Sequence, residues 1–120
     1  MSNTVTIEIN SLRCHSFHGV MAQERKVGNM FEVTVHLRYP ADDAVDFDRL
    51  DGTINYAEVC GVIQEVMSQP SDLLEHVCGR LRRHIIDRWP RIEGGRIRIT
   101  KPAPPIPGVC MESVAVNLEW

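Results

Sequence analysis

The chain opens with two segments in which apolar and polar residues alternate. The first covers residues 5–9, and the second covers residues 31–37 with an apolar residue at every second position. Alternation with this period is typical of a strand that buries one face. The polar connection at residues 18–29 contains Gly19 and Gly28 as turning points. We therefore predict that the two strands pair as a long antiparallel hairpin.

The middle of the chain changes to helical periodicity. Two apolar stripes recur at intervals of three or four residues, and such stripes indicate amphipathic helices. Their members are Tyr56, Val59, Cys60, Ile63, Val66 and Met67, then Leu74, Val77, Cys78, Leu81, Ile85 and Trp89. Asn55 is the predicted N-cap of the first helix, with Glu58 in a capping box. Ser71 is the predicted cap of the second helix, and Pro70 and Pro90 end the two helices.

Two further alternating segments, around residues 97–99 and 114–118, complete a ββααββ order. The acidic segment 42–52 lacks sustained periodicity, and we interpret it as a solvated loop. The predicted fold is α+β, with a four-stranded antiparallel sheet and two helices on one face, in a single domain over residues 1–120. Such a sheet has two open edges, and pairing them with neighbouring subunits is one way to protect them.

Composition and charge exclude several classes of partner. The net charge of -3 and the absence of a basic stripe argue against nucleic acid. No apolar run approaches the roughly 20 residues that span a bilayer, so we predict no membrane partner. The first residues lack the apolar core of a signal peptide, and we expect a cytoplasmic protein.

Lysine is scarce in this sequence. Of the 13 basic residues, only Lys26 and Lys101 are lysines. Because arginine stays charged at any useful pH, the candidates for amine chemistry are these two lysines and the N-terminus. Lys101 ends the third predicted strand, and the prolines after it stiffen the chain. It is either an exposed lysine on a rigid loop or a lysine fixed in place for proton transfer.

Three other residues have both a structural and a functional interpretation. Glu75 lies in the first turn of the second helix, where the helix dipole favours its carboxylate form. A ligand with two parallel N–H groups would satisfy that carboxylate in a bidentate manner. Tyr56 either packs in the core or turns its hydroxyl toward a cavity. Glu24 is either a solvated charge in a surface cluster or part of a site.

Metal-binding patterns are weak. Cys14, His15 and His18 suggest zinc, but no fourth ligand is placed. An EF-hand in the acidic segment is disfavoured because Leu50 occupies a ligand position. We therefore predict neither a metal nor a cofactor.

Four short motifs occur in the order and spacing of a known family. They are Phe17-His-Gly19 followed by Glu24, Thr53-Ile-Asn-Tyr-Ala-Glu-Val59, Leu73-Leu-Glu-His76 and Ile99-Thr-Lys-Pro102. Together they extend over nearly the whole chain, which resembles the dihydroneopterin aldolases of folate biosynthesis. The resemblance implies the tunnelling fold (T-fold), with tetrameric rings commonly stacked in pairs as octamers. It also implies a pterin site between adjacent subunits.

The resemblance further implies roles for individual residues. Glu75 would anchor the 2-amino and N3–H edge of the pterin, and Lys101 would be the general acid/base. Tyr56, from the neighbouring subunit, would assist protonation of the intermediate. Glu24 would help to hold the polyol side chain and the surroundings of the lysine. The other residues implied to line the pterin are Thr53, Ile54, Leu73 and Leu74.

The reaction implied by the resemblance cleaves 7,8-dihydroneopterin into 6-hydroxymethyl-7,8-dihydropterin and glycolaldehyde. The substrate's own C6=N5 imine accepts the electrons, so neither a metal nor a lysine Schiff base is required. Reclosure of the bond on the other face would give the epimer, and we expect epimerase activity as a second reaction. Alternatives are an enzyme that mainly epimerises dihydroneopterin or its triphosphate, a metal-using relative, and a non-catalytic pterin-binding oligomer. The segment 109–113 is slightly longer than the family pattern, which affects the rim of the site.

Overall fold

A computed structural model of the protein describes residues 3–104 and 106–120. The strands are β1 (Thr4–Ser16), β2 (Asn29–Pro40), β3 (Gly94–Pro102) and β4 (Ser113–Glu119), and the helices are α1 (Ala22–Val27), α2 (Asp42–Phe47), α3 (Tyr56–Met67) and α4 (Leu74–Arg88). Each strand pairs antiparallel with the next, so the sheet has the order β1-β2-β3-β4. The predicted α+β class, the first hairpin and the four-stranded sheet are confirmed.

One face of the sheet carries the hydrophobic core. Every second side chain of β2, from Phe31 to Tyr39, is fully buried, and Ile97 and Ile99 of β3 lie beside them. The helices α3 and α4 cover this face with their own apolar stripes, including Ile63 and Leu81. The apolar residues that recur at every second position of the strands and about every 3.6 positions of the helices therefore pack together in one core layer.

The start of α3 agrees with its predicted cap. The Asn55 side chain accepts a hydrogen bond from the backbone N–H of Ala57 at 3.0 Å. The predicted capping-box partner, Glu58, instead forms an ion pair with Arg88 of α4 at 2.9 Å. This ion pair joins the first turn of α3 to the last turn of α4, so the two helices run antiparallel.

The predicted cap of α4 is wrong. The helix begins at Leu74 with Leu73 as its N-cap, and no side chain provides the cap hydrogen bond. Ser71 lies too far upstream, and its hydroxyl binds Arg80 and His76, each at 2.9 Å. The hydroxyl therefore holds the loop before the helix rather than the helix itself.

Two short helices were missed in segments that the sequence predicts as loops. Helix α1 lies within the connection at residues 18–29, and α2 with a 3₁₀ turn at Leu50–Gly52 lies within the acidic segment. Each helix has only 6 residues. Because that is less than two turns, neither can display an apolar stripe.

The chain is elongated for its length. Its extents are 55 × 24 × 20 Å, and its radius of gyration is 16.1 Å, whereas a compact 120-residue domain has about 13.6 Å. Within the described residues, β1 and β4 each pair with only one strand, which leaves two open sheet edges. None of the helices described has the length and apolar character needed to cross a bilayer.

Candidate active site

Lys101 and Glu24 form an ion pair between residues far apart in the sequence. Lys101 lies near the end of β3 and Glu24 lies in α1, and their side chains are only 13% and 8% exposed. The Lys101 Nζ also lies 5.8 Å from the centre of the Phe31 ring. A largely buried lysine with one charged partner is restricted in position, which favours proton transfer. Glu24 is therefore not the solvated charge of the structural interpretation.

The short helix α1 explains how Glu24 is held. The Oε1 of Glu24 accepts a hydrogen bond from the backbone N–H of Met21 at 3.3 Å, while the Oε2 of Glu24 faces Lys101. Gly19 passes directly above this carboxylate with φ +146°. A Cβ at Gly19 would lie 2.5 Å from both the Cδ and the Oε1 of Glu24, so only glycine allows this approach.

The loop that precedes α4 docks on the residues next to Glu24. The Gly19 backbone N–H donates to the Ser71 carbonyl at 3.0 Å, and the Ser71 N–H donates to the Nδ1 of His18 at 3.1 Å. Arg25 also pairs with Asp72 at 2.6 Å. These contacts bring the start of α4 to the same end of the molecule as Lys101.

Glu75 and its two leucine neighbours lie at this end. Glu75 is exposed, Leu73 is 53% exposed and Leu74 is half-buried. An open cavity of about 440 Å³ adjoins Leu73, and its lining also includes Arg25, Pro70, Ser71, Asp72 and His76. In this chain, no described protein group covers the Glu75 carboxylate, so the carboxylate is open to a ligand.

Thr53, Ile54 and Tyr56 lie at the opposite end. The Thr53 hydroxyl binds the hydroxyl of Tyr39, at the far end of β2, at 2.7 Å. Ile54 is buried in the core, and Tyr56 is 66% exposed rather than packed in it. A second open cavity, of about 430 Å³, lies here and is lined by Leu50, Asp51, Thr53, Asn55, Glu58 and Trp89.

The eight predicted site residues therefore form two groups within one chain. Phe31 contacts Lys101 and Tyr39 contacts Thr53, and the eight strand steps between Phe31 and Tyr39 span about 26 Å. Helix α3, which begins at Tyr56, has 12 residues and is about 18 Å long. Within one chain, Tyr56 and Lys101 do not meet.

The weak zinc pattern finds no support in the geometry. The Nδ1 of His18 accepts the Ser71 N–H, and the ring is 1% exposed. Over residues 3–104 and 106–120, no group of three His, Cys, Asp or Glu side chains is placed to hold a metal ion. Leu50, which argued against the EF-hand, is 71% exposed.

Sequence analysis missed three residues that organise this end of the molecule. Arg80 donates to the carbonyls of Val66 and Gln69 and to the hydroxyl of Ser71, at 2.9–3.0 Å. An arginine on the polar side of a helix carries no signal for such a role. The sequence suggests a weak zinc ligand or a ligand contact for His18 and a helix cap for Ser71, and none of these interpretations includes the contact between the two residues. The position of Gly19 between His18 and α1 was a usable signal for a close backbone approach.

Comparison with known proteins identifies the family of this chain. The model of the dihydroneopterin aldolase family matches residues 7–119. The chain belongs to the dihydroneopterin aldolase family. It is 36% identical over 103 residues to a dihydroneopterin aldolase of Staphylococcus epidermidis, with 85% of each chain covered. The enzyme is therefore an aldolase that acts on dihydroneopterin, and the resemblance inferred from the four motifs is confirmed.

Solved dihydroneopterin aldolase structures share the fold. The Escherichia coli dihydroneopterin aldolase in complex with neopterin superposes with a TM-score of 0.86 at 17% identity, covering 97% of this chain and 98% of that one. The Burkholderia thailendensis dihydroneopterin aldolase bound to guanine gives a TM-score of 0.77 at 13% identity, covering 98% and 90%. The T-fold predicted for the single chain is confirmed, and the oligomeric assembly stays a prediction.

Proposed function

We propose that this chain cleaves 7,8-dihydroneopterin at a site shared by two subunits, with Lys101 as the general acid/base. The observation that carries the proposal is the separation of the eight site residues into two groups at opposite ends of the chain. Lys101, Glu24 and Glu75 provide one half of the site, and Tyr56 and Thr53 provide the other half. A neighbouring copy brings the second half to the first, in a homo-oligomer built from tetrameric rings.

The chemistry requires only groups that these residues supply. A base removes the proton of the 2'-hydroxyl, the C1'–C2' bond breaks to release glycolaldehyde, and its electron pair moves into the C6=N5 imine. An acid then returns a proton to C1', which gives 6-hydroxymethyl-7,8-dihydropterin. Lys101 accepts and donates these protons, and the Tyr56 hydroxyl assists the protonation of carbon. Glu24 holds the lysine within reach of the substrate and adjoins the polyol side chain.

Glu75 suits the other end of the substrate. Its exposed carboxylate at the N-terminus of α4 accepts two parallel hydrogen bonds from the 2-amino and N3–H groups of a pterin. Guanine, which the Burkholderia relative binds, presents the same amino–N–H edge. Neopterin, which the Escherichia coli relative binds, presents it as well. Leu73, Leu74 and the partner's half of the site then line the ring.

Epimerisation accompanies cleavage in this proposal because reclosure of the same bond on the other face gives 7,8-dihydromonapterin. The alternative is an enzyme that epimerises the triphosphate, and turnover of the two substrates distinguishes it from the aldolase.

The test is a pair of substitutions with matched controls. We expect Lys101→Ala to lower the rate of glycolaldehyde release by about 10²-fold or more while most of the pterin affinity remains. Glu75→Ala should instead abolish measurable pterin binding, because the ring loses its bidentate acceptor. The controls are Lys26→Ala and Glu65→Ala, since both side chains are exposed and lie outside the two half-sites.

Glycolaldehyde and monapterin are measured for each variant, and neopterin affinity is measured by fluorescence titration. Wild-type cleavage by Lys101→Ala would contradict the role of the lysine. Turnover of the triphosphate without cleavage would favour the epimerase instead. A protein that binds neopterin but forms neither product would be a non-catalytic pterin binder.

A further inference from the structure

The residues proposed to bind the pterin and to transfer protons lie on different secondary-structure elements. Glu24 lies in the short helix α1, Lys101 lies near the end of β3, and Glu75 lies in the first turn of α4. For an anchored pterin to present its side chain to the lysine, the start of α4 and the loop before α1 must keep a fixed separation. A displacement of about 1 Å in such an arrangement can lower a rate about 10²-fold.

His18, Gly19 and Ser71 form two hydrogen bonds that run in opposite directions between these loops. The Gly19 N–H donates to the Ser71 carbonyl, and the Ser71 N–H donates to the His18 Nδ1, at 3.0 and 3.1 Å. We call these three residues the loop clamp. Arg80 holds the Ser71 hydroxyl and also binds the end of α3, so the clamp is fixed to the helix pair.

The hydrogen bond from the Ser71 N–H determines the tautomer of the His18 ring. A backbone N–H can only donate, so the Nδ1 that receives it carries no proton, and the neutral ring has its proton on Nε2. Burial, followed by the charges of Arg80, Arg25 and Lys101, lowers the pKa of His18 to about 4. The ring therefore remains an acceptor at neutral pH.

Packing alone does not explain this histidine. The His18 ring packs edge-on against Phe31, with the two ring centroids 5.3 Å apart. An apolar side chain of similar shape would keep that contact, but it would leave the buried Ser71 N–H without its acceptor, at a cost of about 1–3 kcal/mol. The contribution specific to the imidazole is therefore the Nδ1 contact with Ser71.

We propose that the loop clamp sets the alignment between the anchored pterin and the Glu24–Lys101 pair, and that His18 is its positioning residue. The inference rests on the proposed roles of Lys101 and Glu75. Gly19 takes part on both sides, because its N–H binds Ser71 while its bare Cα lies against the Glu24 carboxylate. No group of the clamp exchanges a proton with the substrate.

Three substitutions of His18 separate its two nitrogens. Asparagine keeps an acceptor near the Nδ1 position, glutamine puts its amide near the Nε2 position, and leucine keeps neither. We expect His18→Leu and His18→Gln to lower kcat about 10-fold to 100-fold with neopterin affinity changed less than about threefold. We expect His18→Asn to recover most of the wild-type kcat.

Several results would overturn the proposal. One is a folded His18→Leu with wild-type kcat, and another is rescue by glutamine instead of asparagine. A third is a loss in His18→Leu that lies entirely in neopterin affinity. Gly19→Ala should also lower kcat, since its Cβ displaces Glu24. Its control is Gly61→Ala, where an added Cβ meets nothing within 4 Å.

A measurement on the wild-type protein keeps the proposal testable if the variants do not fold. Long-range ¹H–¹⁵N spectra of histidine-labelled protein should show His18 with its proton on Nε2 and no titration between pH 6 and pH 8. A proton on Nδ1 would overturn the clamp. This spectrum does not depend on the Lys101→Ala result, so failure of the proposed function and failure of the clamp are distinguishable.

Discussion

At the scale of single residues, the site depends on a charged pair removed from water. Glu24 and Lys101 are both largely buried, and each is the main charged partner of the other. Removing one member of such a pair leaves an uncompensated buried charge, which is far more costly than losing an exposed pair. The pair therefore supports both the fold of this end and the position of the proposed acid/base.

We expect Glu24→Ala to lower the free energy of unfolding by about 3–5 kcal/mol, because it leaves the Lys101 ammonium buried and unpaired. The matched control is Glu58→Ala, which breaks the exposed pair with Arg88 and should cost below about 1 kcal/mol. Urea unfolding of both variants checks the difference. Equal losses would contradict the burial of the Glu24–Lys101 pair.

His18 makes stability depend on pH in a definite direction. Its pKa in the folded state is about 4, below the ordinary value of 6.5. As the pH falls, the unfolded chain binds the proton first, so the stability that neutral His18 provides is complete above about pH 6.5 and is lost toward pH 4. The charged groups that face the ring are Arg80 of α4, Arg25 of α1 and Lys101 of β3.

We therefore expect wild-type protein to lose about 2 kcal/mol more stability than His18→Asn between pH 7 and pH 5. Asparagine cannot titrate, so it removes this contribution while other titrating groups act equally in both proteins. Urea unfolding midpoints at the two pH values check the prediction. Parallel losses in the two proteins would show that His18 titrates normally in the fold.

At the scale of elements, periodicity decided what the sequence could predict. The strands and the two long helices leave a repeated apolar pattern, and all of them were found. Helices α1 and α2 are too short to leave one. The cap at Asn55 acts over two residues and was predictable, whereas the contacts of Ser71 with His18 and Arg80 depend on residues that only the fold brings together.

The candidate site was likewise predictable from the sequence only in part. The eight site residues come from the resemblance to the family. The chemical type of each side chain, and therefore its suitability for the proposed role, can be read from the sequence. The Glu24–Lys101 contact across the sheet end and the separation of Tyr56 from Lys101 are tertiary facts. No local pattern contains them, because the residues concerned lie on different elements.

The start of α3 offers a test at this scale. Asn55 satisfies the Ala57 N–H and immediately precedes Tyr56. We expect Asn55→Ala to lower the free energy of unfolding by about 1 kcal/mol, and Asn55→Asp to restore most of it because aspartate caps equally well. Thermal unfolding measures both variants. An unchanged stability in Asn55→Ala would indicate that water or another group caps this helix adequately.

At the scale of the whole molecule, the chain has the properties of an incomplete unit. Within the described residues, it is elongated, it has two open sheet edges, and each end carries an open cavity that touches one member of a group of site residues, Thr53 at one end and Leu73 at the other. Closed symmetric assembly through the edge strands would remove the edges and join unlike ends of neighbouring copies. In this view the chain needs the assembly in order to have a complete active site.

Complementation tests the shared site directly. Tyr56→Phe and Lys101→Ala each disable one end, so a mixed assembly contains some sites with both intact residues. For random mixing in equal amounts, we expect about a quarter of the sites to regain wild-type composition. The two variants are co-expressed with different tags and purified through both tags, and glycolaldehyde release is measured. Absence of recovery in a mixed oligomer would place both residues in the same chain's site.

The opposite positions of Tyr56 and Lys101 also have a consequence for inheritance. Under the shared-site proposal, every copy serves two sites at once, one with each end. A gene copy that encodes both substitutions therefore harms its normal counterpart, since each faulty product spoils the neighbours on its two sides. In a cell that expresses both forms equally, only about a quarter of the sites would combine two intact halves, whereas two alleles damaged at opposite ends would partly rescue each other.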